Sequence, residues 1–253
     1  MLQLKSLFKL APAMAIKYFR KKNNKFSWDW YELWQDAHKK SFTVAKAMRE
    51  DILKDIRSAL EKALTEGKTF RELSKELKPT LQKKGWWGEQ IVVDSQGVAE
   101  KVQLGSMYRL KTIYSVNMQT AYQTGRYKTQ YENVDNRPYW EYVAVMDAST
   151  RPEHAILNGL VYRYDDPFWQ SFYPPNGWRC RCRVNALSDY NLQKKQRTIS
   201  SSAGTLSEEL ALVSKKSGEY KLVTVYTDPL TGKRVAPDVG WSHNPASGLI
   251  EGN

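Results

Sequence analysis

The sequence has very little cysteine, with Cys180 and Cys182 the only two in 253 residues. Two cysteines are too few for a disulfide scaffold, and one intervening residue is poor geometry for a bridge between them. The chain also lacks the run of about 18–20 apolar residues that a membrane-spanning helix needs. Its first 16 residues include Lys5 and Lys9 and lack a signal-peptide pattern, so we expect assembly in a cytoplasm without a membrane partner.

The sequence motifs of several functional classes are also missing. There is no P-loop, no dinucleotide-binding fingerprint and no HExxH metalloprotease signature. Neither a helix-turn-helix nor a zinc-finger spacing is present. The sequence therefore gives no support to ATP-driven chemistry or to sequence-specific DNA recognition.

The composition is that of a folded, basic protein. Apolar residues make up 41% of the chain and aromatic residues 12%, which is enough to form a core. Lys and Arg number 39 against 27 Asp and Glu, a net charge of +12. This excess favours a polyanion such as DNA or an acidic protein surface, although ordinary solubility charge would also account for it.

Helical spacing dominates the amino-terminal half. Apolar residues recur every three or four positions over residues 42–64, and Gly67 follows as a stop. Thr69 and Glu72 have the spacing of a capping box, which predicts a second helix that Pro79 breaks or restarts.

Two further patterns follow before the character of the sequence changes. Two tryptophans stand between glycines in Gly85–Gly88, which predicts a hinge with buried rings. Helical spacing then returns over residues 105–131 and predicts a long helix.

The carboxy-terminal half has the pattern of short strands and turns. Aromatic and β-branched residues predict strands at 139–145, 159–163, 179–184 and 220–226. The small polar residues of 200–204 predict a mobile connection. The predicted fold class is α+β, with a mostly helical amino-terminal half followed by a compact, short-stranded α+β module.

The two cysteines are candidate metal ligands. In a strand, Cys180 and Cys182 would face the same side. Zinc prefers four ligands, and His154 and Asp147 are the nearby residues that could complete the set. The alternative is a pair of buried, inert cysteines.

Three arginines alternate with these cysteines. In the predicted strand, Arg179, Arg181 and Arg183 would form a charged face opposite the thiols. Guanidinium groups there could bind phosphate or an acidic partner, or pair with Asp165 and Asp166 within the chain.

Catalysis is a second hypothesis. Asp147, His154 and Cys180 are the residue types of a nucleophilic triad. Asp165 and Asp166 are adjacent carboxylates that could hold magnesium in a nuclease. The alternative function is accordingly a Cys- or metal-dependent hydrolase or nuclease acting at a DNA end.

Several short motifs occur together in one order. They are Asp147–His154, Asn158-Gly159, Asp165–Trp169, Pro174–Gly177 and Cys180–Cys182. In this order they resemble the signature of the phage Mu gpF-like and SPP1 gp7-like minor head proteins. Upstream and downstream segments extend the resemblance over roughly residues 12 to 248.

The resemblance implies a structural role in a tailed phage or Mu-like prophage. Members of this family would lie inside the capsid near the portal vertex, after assembly in the bacterial host cytoplasm. The implied partners are the portal protein, the major capsid protein and packaged DNA, which is bound without sequence preference. The implied role is head morphogenesis with DNA packaging or ejection, and no enzymatic activity is implied.

The resemblance also suggests different roles for three parts of the chain. Residues 1–100 would form a helical region that docks on the capsid or portal, 101–190 the α+β module, and 191–253 a linker with tail strands. A structural motif within the module would comprise six residues, namely Asp147, Arg151, His154, Asp166, Trp169 and Trp178. We expect the first three to fix a loop by hydrogen bonds and the two tryptophans to fill the core.

Overall fold

The computed structural model describes residues 13–35, 37–93, 99–215 and 217–247. Helices and short strands alternate along the chain, which confirms the predicted α+β class. The helices are α1 (Ala13–Lys21), α2 (Ala37–Lys40), α3 (Glu50–Glu66), α4 (Phe70–Lys83), α5 (Met107–Tyr131), α6 (Pro152–Ile156), α7 (Phe168–Phe172) and α8 (Asp189–Lys195). The strands are β1 (Asn23–Asn24), β2 (Ser41–Phe42), β3 (Glu89–Val93), β4 (Ala99–Gln103), β5 (Tyr139–Val143), β6 (Val161–Arg163), β7 (Arg183–Leu187), β8 (Leu206–Ser214), β9 (Glu219–Thr227) and β10 (Arg234–Val235).

The chain folds into two compact units. The first contains the described residues up to Leu33 together with Lys40–Ala121, and the second contains Trp34–Lys39 and the described residues from Tyr122 onward. The domain limits at 100 and 190 that the sequence suggested stay a prediction. The boundary between Ala121 of the first unit and Tyr122 of the second falls inside α5.

Helix α3 begins later than the sequence pattern predicts. Lys46 has φ of 63°, a left-handed conformation that interrupts any helix started at residue 42. The helix therefore starts at Glu50. Its end is as predicted, since Gly67 takes φ of 67° and its N–H donates to the Ala63 carbonyl.

The predicted capping box of α4 is confirmed. The Thr69 hydroxyl accepts a hydrogen bond from the Glu72 N–H, and the Glu72 carboxylate accepts one from the Thr69 N–H. The helix continues through Pro79 to Lys83, so the predicted break at Pro79 is wrong. Burial of Leu81 in the turn beyond the proline stabilises this continuation.

The tryptophan pair lies at a tight turn between α4 and β3. Gly85 and Gly88 both have positive φ, which glycine adopts at low cost. Trp86 is buried as predicted, and its indole N–H donates to the Lys46 carbonyl at 3.0 Å. The ring thereby fixes the loop that precedes α3.

A three-stranded antiparallel sheet, in the order β6-β5-β7, organises the second unit. Trp140 and Tyr142 of β5 are buried on one face among the aromatic residues of α7. Trp169 is 2% exposed, as predicted, and its ring meets Trp140 edge-on with the centroids 5.7 Å apart.

A second antiparallel sheet has the order β10-β9-β8. The sequence predicted β9 but not β8, whose nine residues contain two adjacent glutamates, Glu208 and Glu209. Tyr226 of β9 is buried and packs on Phe168 and Phe172 of α7.

The segment Trp34–Lys39 belongs to the second unit, although residues on both sides of it belong to the first. The Lys221 ammonium lies 4.6 Å from the centroid of the Trp34 ring, a cation–π contact. The Lys39 ammonium donates to the Ser247 hydroxyl, a residue 208 positions further along the chain.

Three further predictions are wrong in detail. The strand predicted at 179–184 starts only at Arg183. Ser202, in the predicted mobile connection, is buried, and its N–H donates to the Asp166 carboxylate at 3.1 Å. Trp178 was predicted in the core but is 38% exposed and packs edge-on against Trp241.

Within the described residues, no helix combines the length and the apolar character that crossing a membrane would require.

Candidate metal centre

His154 is held by the short helix α6. Pro152 occupies the start of this helix, where its fixed φ favours helix formation and its missing N–H costs nothing. The imidazole of His154 is 5% exposed. The residue is therefore buried within the second unit.

The two cysteines lie on the irregular segment that leads into β7. Arg179 has φ of 58°, which turns the chain, and the Cys180 N–H donates to the Gly177 carbonyl at 3.1 Å. Beyond the cysteines, Val184 pairs with Tyr142 of β5. The Gln123 amide donates to the Cys182 carbonyl at 2.9 Å. Turn, strand and amide together fix the direction of both thiols.

His154, Cys180 and Cys182 converge on one buried point. The His154 Nδ1 atom lies 3.8 Å from the Cys180 Sγ atom and 3.4 Å from the Cys182 Sγ atom. All three candidate ligand atoms lie within 4.8 Å of one another. The structure thus brings together three of the four residues that the sequence suggested as metal ligands.

The two thiols have opposite pKa shifts. The hydrogen bond between them is the largest cause in both cases, and it lowers the pKa of Cys182 to about 7. Burial opposes this shift, while the Tyr142 hydroxyl and the Arg181 guanidinium support it. The same hydrogen bond, together with burial, raises the pKa of Cys180. Cys182 is therefore the thiol that ionises first.

Asp147, the fourth suggested ligand, lies elsewhere. Its carboxylate accepts two hydrogen bonds from the Arg181 guanidinium, at 2.6 and 2.7 Å, and one from the Ser149 N–H. The bond to Arg181 is the main reason that the pKa of Asp147 is well below its usual range. The Asp147 carboxylate thus stabilises the turn at Ser149 and neutralises the charge of Arg181.

Asp165 and Asp166, one of the three alternatives for the partner of the arginine row, have other partners. Asp165 pairs with Arg163 instead, at 3.0 Å. Asp166 accepts hydrogen bonds from the Phe168 and Ser202 N–H groups. The row itself is split between a turn and a strand, since Arg179 lies before the cysteines and Arg183 opens β7.

The positions of the aspartates and the burial of the thiols argue against the catalytic hypothesis. A triad needs a carboxylate on the histidine, but the Asp147 carboxylate is bound to Arg181. Both thiols are at most 5% exposed, so a substrate could not reach them without rearrangement. Among the residues that the structure describes, the two adjacent aspartates do not form a metal-binding group with any third ligand.

A second layer of polar residues lies around the cluster, formed by Tyr142, Arg151, Asn176 and Asp238. Of these, the sequence had suggested only Arg151 as a site residue. The Tyr142 hydroxyl donates to the Asn176 Oδ1 atom at 2.9 Å inside the core. Arg151 donates to the Trp178 carbonyl and pairs with Asp238 at 3.1 Å. Asn176 lies in the Pro174–Gly177 motif and Asp238 in a downstream segment that extends the family resemblance, and this was the available signal.

Gly177 sits where this second layer allows no side chain. A methyl group there would overlap the carboxylate of Asp238 and the guanidinium of Arg151. We expect Gly177→Ala to lower the free energy of unfolding by roughly 1–3 kcal/mol, because overpacking forces such groups apart. Urea denaturation of the full chain measures this loss.

Gly232→Ala is the control for Gly177→Ala. Its added methyl group would meet nothing within 4 Å, and only the positive φ of 66° opposes it. The expected cost is about 1 kcal/mol. If Gly177→Ala cost no more than Gly232→Ala, the close approach at Gly177 would have no energetic role.

The chain is similar to proteins of one phage family. A family described as "Phage Mu protein F like protein" matches residues 54–185, which include all three residues of the cluster. The "Putative capsid assembly protein F" of Escherichia phage Mu is 48% identical over 241 residues, covering 94% of this chain and 55% of that protein. The "Mu-like prophage FluMu F protein" of Haemophilus influenzae is 46% identical over 223 residues, covering 87% of this chain and 53% of that protein.

This chain therefore spans about half the length of these two relatives. No solved structure matches it significantly.

Proposed function

Since the chain belongs to the Phage Mu protein F like family, we propose that it acts in assembling the head of a tailed phage or Mu-like prophage. More narrowly, it would be a minor head protein inside the capsid near the portal vertex. There it would serve head morphogenesis and the packaging or ejection of DNA. Its partners would be the portal protein, the major capsid protein and packaged DNA.

One observation carries this proposal. The relative from phage Mu is 48% identical over 94% of this chain and is named "Putative capsid assembly protein F". Identity at this level extends through both compact units, beyond the residues 54–185 that the family match covers. Both units would thus serve the same process as in the relative.

The charge of the chain supports contact with packaged DNA. The excess of 12 positive charges would release counterions from DNA when Lys and Arg meet phosphate. Binding of this kind depends on salt and not on base sequence. It would suit a protein confined beside densely packed DNA in a capsid.

A binding role also fits the site better than catalysis does. The thiols and the imidazole are buried, and the Asp147 carboxylate is committed to Arg181. These residues hold a loop region in place without offering an accessible nucleophile. We accordingly propose that the chain is not an enzyme, and we expect no nicking of plasmid DNA with magnesium.

The test uses the phage or prophage genome that encodes this chain. An early stop codon is introduced into its reading frame, with and without a plasmid copy of the full gene. After induction, heads and tails are separated by sedimentation and inspected by electron microscopy. We expect tails to form normally, whereas DNA-filled heads appear only when the plasmid copy is present.

The position inside the head is tested on the complemented particles. We expect the protein to resist protease in intact heads, to become sensitive when heads are opened, and to cross-link to the portal protein. Normal numbers of filled, infectious particles without the protein would refute a role in head assembly. Protease sensitivity in intact heads would refute the internal location alone.

A further inference from the structure

We propose that His154, Cys180 and Cys182 bind one zinc ion, which acts as a structural centre of the second unit. The ligand atoms would be the Nδ1 atom of His154 and the two Sγ atoms. The proposal rests on the geometry of these three residues. It stands whether or not the chain acts in head assembly.

The distances match those that zinc imposes. A tetrahedral ion with Zn–S bonds of about 2.3 Å and a Zn–N bond of about 2.0–2.1 Å holds sulfur and nitrogen about 3.5–3.6 Å apart. The two observed distances between the His154 Nδ1 atom and the sulfurs are 3.4 and 3.8 Å, one on each side of this value. The His154 Nδ1 atom therefore lies at distances from both sulfurs that a bound ion would keep.

Hydrogen bonding alone leaves one of the two contacts to the His154 Nδ1 atom unexplained. The Nδ1 atom of an imidazole either donates one hydrogen or accepts at one lone pair, so it can serve only one thiol well. Here two sulfurs converge on the same nitrogen in a buried place. A shared ion at the centre of the three atoms satisfies all of them at once.

The surroundings suit a neutral zinc–dithiolate group. Two thiolates and a divalent ion have no net charge, which reduces the cost of burying them. The nearby Arg181 guanidinium is already neutralised by the Asp147 carboxylate. The Tyr142 hydroxyl, which donates its hydrogen to the Asn176 Oδ1 atom, lies beside the Cys182 thiol.

The fourth position is assigned to a water molecule. Over residues 13–35, 37–93, 99–215 and 217–247, no further His, Cys, Asp or Glu joins the group. Asp147 does not qualify, because Arg181 holds both of its carboxylate oxygens. Burial of the cluster would keep this water from acting on a substrate.

The ion would join two segments that are well separated in the sequence. His154 and the cysteines are separated by 26 and 28 residues, and the chain between Phe172 and Arg183 has no regular secondary structure. A metal bound only in the folded state stabilises that state by its binding free energy. Zinc would thus fix the irregular segment against α6 and β7.

The experiment measures metal in the full chain, purified without a polyhistidine tag from zinc-supplemented cells. We expect about one zinc per chain in the wild type and none in the Cys180→Ser, Cys182→Ser double variant. Asp147→Asn is the matched control and should keep its zinc, because Asp147 is not a ligand. After exchange to cobalt, we expect thiolate-to-cobalt charge transfer and the strong visible bands of four-coordinate Co²⁺.

A chelation experiment covers the case in which the double variant fails to fold. Chelator should remove zinc from the wild type and lower its melting temperature, and added zinc should restore both. Wild-type protein that holds no zinc and gives no cobalt charge-transfer band would overturn the proposal. Loss of zinc in Asp147→Asn, or a six-coordinate cobalt spectrum, would overturn the ligand set.

Discussion

Replacement of Trp169 by alanine is expected to lower the free energy of unfolding by about 3–5 kcal/mol, the usual cost of truncating a large buried aromatic residue. The indole is 2% exposed, and its N–H donates to the Arg163 carbonyl at 3.0 Å. Its ring has edge-on contacts with Trp140 and Phe168, with centroids 5.7 and 5.1 Å apart. Truncation would leave a cavity at the centre of this cluster.

Trp178→Ala is the matched control for Trp169→Ala. Trp178 is 38% exposed, and Trp241 is its aromatic neighbour. We expect a loss of about 0.5–1.5 kcal/mol, the range for a single aromatic pair. Hydrogen exchange of the β5 amides reports on the second unit alone. Equal losses for the two tryptophans would contradict the distinction between core and surface.

The second large effect is expected at Glu141, whose carboxylate is buried inside the β-sheet. Its side chain is 3% exposed and pairs with Lys195 at 2.7 Å and with Arg197 at 2.8 Å. We expect the double variant Lys195→Met, Arg197→Met to lose about 3–5 kcal/mol at neutral pH, because it leaves a buried charge without partners. Chemical denaturation of the double variant measures this loss.

A triple variant identifies the cause of this loss. Adding Glu141→Gln to the double variant removes the isolated charge but keeps the size of the side chain. We expect the triple variant to recover the larger part of the lost stability. If the triple variant were as unstable as the double one, the loss would come from packing of the long side chains and not from charge.

The pH dependence at Glu141 has a definite sign. Burial acts to raise the pKa of Glu141, but the hydrogen bonds from Lys195 and Arg197 outweigh burial and lower it. A lowered pKa in the folded state gives stability that is present above the ordinary glutamate value and lost as pH falls through the folded-state value. The wild type should therefore lose more stability on acidification than Glu141→Gln does.

Local signals in the sequence located the helix termini that a capping residue marks. Gly67 and the Thr69–Glu72 capping box act through neighbouring backbone atoms, and both are as predicted. The positive φ of Lys46 could not be predicted, because lysine does not favour this conformation. The start of α3 was accordingly placed too early.

The residue types alone predicted only part of the site. Two cysteines and a histidine are uncommon enough in this chain to suggest one cluster, and the structure brings them together. Trp169 and Trp178 could not be separated, because their different exposures follow from elements distant in sequence. The same holds for Glu141, whose partners lie 54 and 56 residues further along.

The order of synthesis sets a limit on when the second unit can be completed. Trp34–Lys39 is synthesised before Lys221 and Ser247, which it contacts, and Lys40–Ala121 of the first unit lies between them in the sequence. These residues can reach their final neighbours only after the intervening chain has been made. Synthesis of the later part of the first unit is therefore finished before the second unit can be completed.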